Sequence, residues 1–139
     1  MYTIQTEAGF DSAHFLKGYD GKCSNIHGHH WTVTIEAAAE ELSEEGQTRG
    51  MIMDFSDVKK LLREETRKLD HALLIEEGSL KEKTVEALNE EGFLIRILPF
   101  RPTAENLAKY FYDRMKEAGC PVRRVQVYET PRNVAGYEV

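Results

Sequence analysis

Between residues 39 and 55 the hydrophobic period of the chain changes from two to about 3.6, so it must build both a sheet and a helical layer. Residues 2–10 alternate, with Tyr2, Ile4, Thr6 and Ala8 against Thr3, Gln5, Glu7 and Gly9, and Phe10 closes the run. Residues 28–39 alternate again, with Trp31, Val33 and Ile35 on one side and His30, Thr32 and Thr34 on the other. Both runs predict strands. From Phe55 to Leu69 the apolar positions Val58, Leu61, Leu62 and Leu69 recur at helical spacing, and Asp54 or Ser56 can cap the first turn.

The connections are legible too. Residues 16–26 hold two glycines, Asp20, Ser24 and Asn25 and read as a loop; ELSEEGQTRG is a charged turn, and MIMDF a short strand leading out of it. A second, shorter helix is expected over 79–91, ended by Gly92 as a left-handed cap. FLIRIL reads as a strand broken by PFRP, residues 103–117 as a third helix capped by Thr103, and 122–130 as a last strand. With no repeat or linker in the chain, residues 1–139 form a single α+β domain, an antiparallel sheet with helices on one face.

Composition excludes several classes. The chain carries 18 Lys and Arg against 24 Asp and Glu, a net charge of −6, which disfavours a duplex nucleic-acid binder. No apolar run approaches the ~20 residues that span a bilayer, and the first ten residues lack a basic segment followed by an apolar core. A cytoplasmic protein without membrane partners is therefore expected. Two cysteines are too few for a disulfide framework.

All five histidines lie in the first 71 residues, and four fall between 14 and 30. His27 and His29 are two apart at the start of an extended run, so both imidazoles point to one side. His14, at the end of the first strand region, is the candidate third ligand. Three imidazoles leave a fourth position open for water or substrate, the pattern of a catalytic metal. His30 points the other way. The alternative is a polar strand start with solvated histidines, and the ligand type alone suits zinc, iron, copper or nickel equally.

Cys23 lies four residues before His27, where a nearby cation would make its thiol a base or nucleophile. Cys120, before Pro121, has no such surroundings and reads as structural. Asp70 and His71 follow the first helix, and a carboxylate can fix an imidazole for acid–base work. Adjacent side chains rarely meet, so Asp70 is expected to act through backbone placement or through Cys23. Glu129 ends the last strand. Pro102-Thr103-Ala104-Glu105-Asn106 opens the third helix with free N–H groups. Taken singly, Cys23, His71 and Glu129 each have an ordinary reading as a turn residue, a half-buried loop histidine and a solvated strand end.

In order along the chain, FDSAHFL, Cys23-x-x-x-His27-Gly-His29, MDFSDVKKLL, Leu69-Asp70-His71, the Pro102–Asn106 segment and Glu129-Thr130 resemble the 6-pyruvoyl-tetrahydropterin synthase family. The likeness is closer to its bacterial branch, the 6-carboxy-5,6,7,8-tetrahydropterin synthases of queuosine biosynthesis. The resemblance implies a tunnelling fold, a four-stranded antiparallel sheet that closes into an oligomeric β-barrel as a trimer or hexamer. It implies zinc on His14, His27 and His29, catalytic Cys23, Asp70, His71 and Glu129, and substrate contacts from Thr103, Glu105 and Glu129. Glu129 and Cys23 are expected to meet across a subunit interface. The implied substrate is 7,8-dihydroneopterin triphosphate, converted by the lyase branch to 6-carboxytetrahydropterin, acetaldehyde and triphosphate. Loss of triphosphate without side-chain cleavage, and a zinc- or pterin-binding module without turnover, are the rival readings. Residues 76–98 form an insertion relative to the compact bacterial pattern, and Lys17, Lys22 and Arg132 are the nearby cations for the triphosphate.

Overall fold

The computed structural model describes residues 1–139. The first two strands, β1 (Tyr2–His14) and β2 (His27–Ala39), pair antiparallel without a break from Tyr2 opposite Ala39 to His14 opposite His27. β1 thus runs four residues beyond the expected 2–10, because pairing with β2 carries the extended conformation through Asp11–His14. The long hairpin buries Phe10, Trp31, Val33 and Ile35 on one face, as the alternation requires. Phe10 and Trp31 stack with rings 6.0 Å apart and 8° from parallel.

After the hairpin come α1 (Phe55–Leu69), β3 (Ala72–Glu76), α2 (Glu82–Glu90), β4 (Ile95–Leu98), α3 (Ala104–Glu117), β5 (Val122–Tyr128) and β6 (Val134–Glu138). The sheet has six strands in the order β4-β3-β1-β2-β5-β6. It is mixed: β1–β2, β2–β5 and β5–β6 are antiparallel, whereas β1–β3 and β3–β4 are parallel. The α+β class holds, but the four-stranded, wholly antiparallel sheet is corrected to this arrangement. Two strands lie outside the expected set. β3, ALLIE, is a short apolar run in a parallel pair and carries no alternation to mark it. β6, VAGYE, is an edge strand without a fully buried residue. The last predicted strand, 122–130, is β5, which ends at Tyr128, and the chain turns at Thr130–Asn133 into β6.

MIMDF is not a strand. Gly50 N–H donates to the Ser43 carbonyl at 2.8 Å and Ser43 N–H to the Met51 carbonyl at 3.1 Å, closing the 43–51 segment on itself. Asp54 then caps α1, its carboxylate accepting from Ser56 N–H at 2.7 Å. The predicted 79–91 helix is α2, three residues later at its start. Gly92 sits at φ +86°, and Gly92 N–H and Phe93 N–H donate to the carbonyls of Asn89 and Leu88, a left-handed cap in which a side chain would be strained. Residues 76–98, expected to be an insertion, form the end of β3, all of α2, and β4.

α1 and α3 cover one face of the sheet. Val58, Leu62 and Leu69 from α1 and Leu107, Ala108, Phe111 and Met115 from α3 join the hairpin's apolar face in one cluster of 20 buried residues. α2 contributes none. Cys120 is buried in this cluster, and burial pushes its thiol up to about 11, as suits a structural residue.

Candidate metal and pterin site

The last rung of the β1–β2 ladder places His14 directly opposite His27, and His29 is opposite Ser12. The three imidazoles converge, with ring centroids 4.5 Å (His14–His27), 5.1 Å (His14–His29) and 5.0 Å (His27–His29) apart. One ring nitrogen from each lies within 4.8 Å of the others. A tetrahedral zinc with Zn–N bonds of ~2.0–2.1 Å would need nitrogens about 3.3 Å apart, within that limit. Trp31 closes the site from below, its ring 5.0 Å from His14 and 5.2 Å from His29.

Hydrogen bonding selects the free nitrogens. His14 Nδ1 lies 2.7 Å from the Pro102 carbonyl and His27 Nδ1 2.7 Å from the Asn25 carbonyl, so each ring donates there and presents Nε2. His14 Nε2 and His29 Nε2 are buried with no hydrogen-bond partner. Buried polar atoms are rarely left so, and two orphaned ring nitrogens beside a third imidazole are a site that a metal cation would satisfy. His14 is 1% exposed, and its pKa is lowered to about 4 by burial, against the pull of the Pro102 carbonyl and with help from His27 and His29. Burial likewise lowers the pKa of His29, opposed by Glu129. Neutral imidazoles are the form that binds metal.

Glu129 follows β5, whose Tyr128 pairs with Thr32 of β2, and its Oε1 comes 3.5 Å from His29 Nε2. At that distance the contact is an electrostatic approach, not a hydrogen bond. The glutamate thus reaches the triad within one chain. Glu129, Glu105, Ala104 and Asn133 line a hollow of about 460 Å³ between the start of α3 and the β5–β6 turn. Thr103 Oγ1 caps α3 by accepting from Asn106 N–H at 3.2 Å. The third-helix start therefore flanks the same hollow that Glu129 enters.

Asp70 and His71 do pair directly, against expectation: His71 Nδ1 lies 2.9 Å from Asp70 Oδ2. The reason is the backbone, since His71 has φ +57° and is the one non-glycine residue with positive φ. That left-handed turn, a conformation costing on the order of 1–3 kcal/mol, folds the imidazole back onto the preceding carboxylate. β1 holds it in place. Asp11 N–H donates to Asp70 Oδ1 at 2.9 Å, and His71 N–H donates to the Asp11 carbonyl at 2.6 Å. The Asp11 N–H, with lesser help from His71, lowers the pKa of Asp70, and the hydrogen bond that His71 donates to Asp70 raises that of His71. His71 is exposed and, with Gly28, His29 and His30, lines a hollow of about 690 Å³ whose wall includes Ile26 and Phe93.

His30 is not a ligand; its Nδ1 lies 2.8 Å from Asp11 Oδ1. Its ring passes over Gly9, where an added Cβ would come 3.0 Å from His30 Cε1. Asp11 thus ties Asp70, His71 and His30 together, a link that the sequence reading missed. Its one signal was its place in FDSAH, beside a ligand but on the opposite strand face.

Residues 3–139 match the family profile described as 6-pyruvoyl tetrahydropterin synthase. The chain belongs to the 6-pyruvoyl tetrahydropterin synthase family. Among curated relatives, the 6-carboxy-5,6,7,8-tetrahydropterin synthase of Haemophilus influenzae is 32% identical over 144 residues, covering 99% of each chain. Among solved structures, an uncharacterized protein from Wolinella succinogenes superposes with a TM-score of 0.75 at 20% identity, covering 99% of this chain and 97% of that one. The 6-pyruvoyl tetrahydropterin synthase of Caenorhabditis elegans gives a TM-score of 0.67 at 26% identity, covering 99% and 95%. The family's fold is therefore this α+β fold, and the motifs that suggested the family, apart from MDFSDVKKLL beside the start of β1, occupy one end of its sheet.

Proposed function

We propose that the protein is a zinc-dependent 6-carboxytetrahydropterin synthase, a lyase that converts 7,8-dihydroneopterin triphosphate and one water to 6-carboxy-5,6,7,8-tetrahydropterin, acetaldehyde and triphosphate in queuosine biosynthesis. The observation that carries this reading is the convergence of His14, His27, His29 and Glu129 in one chain, beside a hollow of a size suited to a small ligand. The name of the full-length Haemophilus influenzae relative agrees with it.

His14, His27 and His29 would hold the zinc, which when bound supplies a Lewis acid beside the substrate's side-chain hydroxyls. Glu129 offers two carboxylate oxygens to the adjacent N–H groups of the pterin edge, a pair of charge-assisted hydrogen bonds. Glu105 and the Thr103 hydroxyl flank the ring at the start of α3. Cys23 moves a proton on one face of the side chain and His71 on the other. Asp70 keeps Nδ1 of His71 protonated and directs Nε2 toward the substrate. Lys17, Lys22 and Arg132 are the cations for the triphosphate.

A barrel-forming trimer or hexamer fits the same reading. His71 stands at 77% side-chain exposure on a hollow flanked by exposed Ile26, Phe93 and Leu94, and an acid–base group needs more enclosure than that. A neighbouring subunit would supply it.

The deciding experiment is product analysis with 7,8-dihydroneopterin triphosphate. Acetaldehyde and 6-carboxytetrahydropterin in equal amounts support the lyase. A 6-pyruvoyl product with the carbon side chain intact would instead assign the pyruvoyl-synthase reaction, and no turnover would leave a binding module.

A further inference from the structure

Cys23 occupies an unusual position for a residue that must act at atomic precision. The β1–β2 ladder ends at His14 opposite His27, so the sheet fixes the ligands but not the twelve-residue excursion between them. Inside that excursion the bonds are local. Leu16 N–H donates to the Cys23 carbonyl at 2.9 Å, Tyr19 N–H to Leu16, Ser24 N–H and Oγ to Gly21, and the Asn25 N–H and Nδ2 groups to Lys22. From residues 17–24 to any residue beyond the 16–25 segment there is one hydrogen bond: Arg101 Nη2 donates to the Lys17 carbonyl at 3.1 Å.

Arg101 grips the loop a second time. Its guanidinium carbon lies 5.9 Å from the centre of the Tyr19 ring, on a face where a cation is attracted. Tyr19 in turn lies so close to Gly21 that an added Cβ there would come 2.7 Å from the ring. Tyr19 is thus wedged between Arg101 and the backbone two residues before Cys23. No carboxylate lies within ion-pair distance of Arg101, so nothing else competes for its charge.

The other end of Arg101 is anchored. Its carbonyl accepts from Thr103 N–H at 2.8 Å and from Asn106 Nδ2 at 2.9 Å, which seats it on the first turn of α3. The next residue's carbonyl, on Pro102, is the one that takes His14 Nδ1. One dipeptide therefore touches both the buried metal ligand and the cysteine loop.

We propose that Arg101 is a positioning residue for Cys23, holding the 16–26 loop so that the thiol meets the substrate at the angle set by the metal ligands. The role for Cys23 rests on the lyase reading above; the bonding of Arg101 to the loop does not. Reacting groups held loosely lose rate steeply, about a hundredfold for a displacement of ~1 Å.

The test uses the full-length, zinc-loaded protein and its Arg101→Met and Arg101→Lys variants. Turnover of dihydroneopterin triphosphate, bound zinc and the rate of Cys23 alkylation by iodoacetamide are measured together, with buried Cys120 as internal reference. Arg101→Met should lower kcat by about 10- to 100-fold with KM little changed, keep its zinc, and alkylate faster at Cys23. Arg101→Lys, which keeps a donor for the Lys17 carbonyl and a cation over Tyr19, should recover most of both. Wild-type kcat and alkylation rate in Arg101→Met would overturn the proposal. So would loss of zinc in that variant, which would place the effect on His14 through Pro102. If the parent protein or its Cys23→Ala variant contradicts the lyase reading, the alkylation rates still decide whether Arg101 holds the loop.

Discussion

Removing the metal and lowering the pH should destabilise the protein through His14 in particular, and the structure sets the size of the effect. Buried at 1% exposure and donating to the Pro102 carbonyl, His14 has its pKa lowered from 6.5 to about 4. In the unfolded chain it protonates near 6.5, so between the two values the unfolded state binds the extra proton and stability falls as pH falls. At one pKa unit per 1.36 kcal/mol, moving from pH ~7.5 to ~4.5 should cost roughly 2–3 kcal/mol from this residue alone. Other groups titrate over the same range, so the measurement is a difference. Urea unfolding of chelator-treated protein is compared with His14→Asn, whose amide can still donate to Pro102 but cannot take up a proton. The stability gap between the two should move against the parent by that amount, displacing its urea midpoint by about 1 M or more. A gap constant to within about 0.5 kcal/mol across the pH range would refute the reasoning, since His14 would then titrate alike in the folded and unfolded chain. Saturating zinc should restore stability most at neutral pH, where the three imidazoles are free of protons.

Three other outcomes follow from the site and the core. Asp70→Asn should lower the pKa of His71, because the carboxylate is what raises it, and the limb of the pH–rate profile that reports His71 should move to lower pH. An unmoved profile would separate His71 from the rate. Glu129→Gln should retain metal on His14, His27 and His29 but raise KM by roughly 10- to 100-fold, the value of a hydrogen bond to a charged group; steady-state kinetics beside a zinc assay would read both. Leu107→Ala, which empties a fully buried position between α3 and the sheet, should cost about 2–5 kcal/mol in chemical denaturation.

How much of this was legible in the sequence depends on what each feature rests on. The hairpin, α1 and α3 were, because each buries one face and its period shows in the apolar residues. The metal triad was legible for the same reason: residues 27 and 29 share a face by strand geometry alone. β3 and β6 were not, one being uniformly apolar and the other an edge strand with alternate residues only half-buried. The Asp70–His71 contact depends on a positive φ at a non-glycine residue, and histidine gives no sign of it. The approach of Glu129 to His29 depends on the β2–β5 register, a relation between segments almost a hundred residues apart. Asp11 and Arg101 act through backbone groups and a carbonyl, and such bonds leave little trace in residue type.

The ladder that ends on His14 and His27 also bears on how the chain finds its fold. Successive side chains along a strand face opposite ways, so a slip of β2 by one residue would turn Gly28 and His30 toward His14 in place of His27 and His29. Only one imidazole, not two, would then stand beside it. A metal ion captured during folding would therefore hold the correct alignment and leave the slipped one without its clasp. Such an ion would proofread strand registry before it had any substrate to act upon.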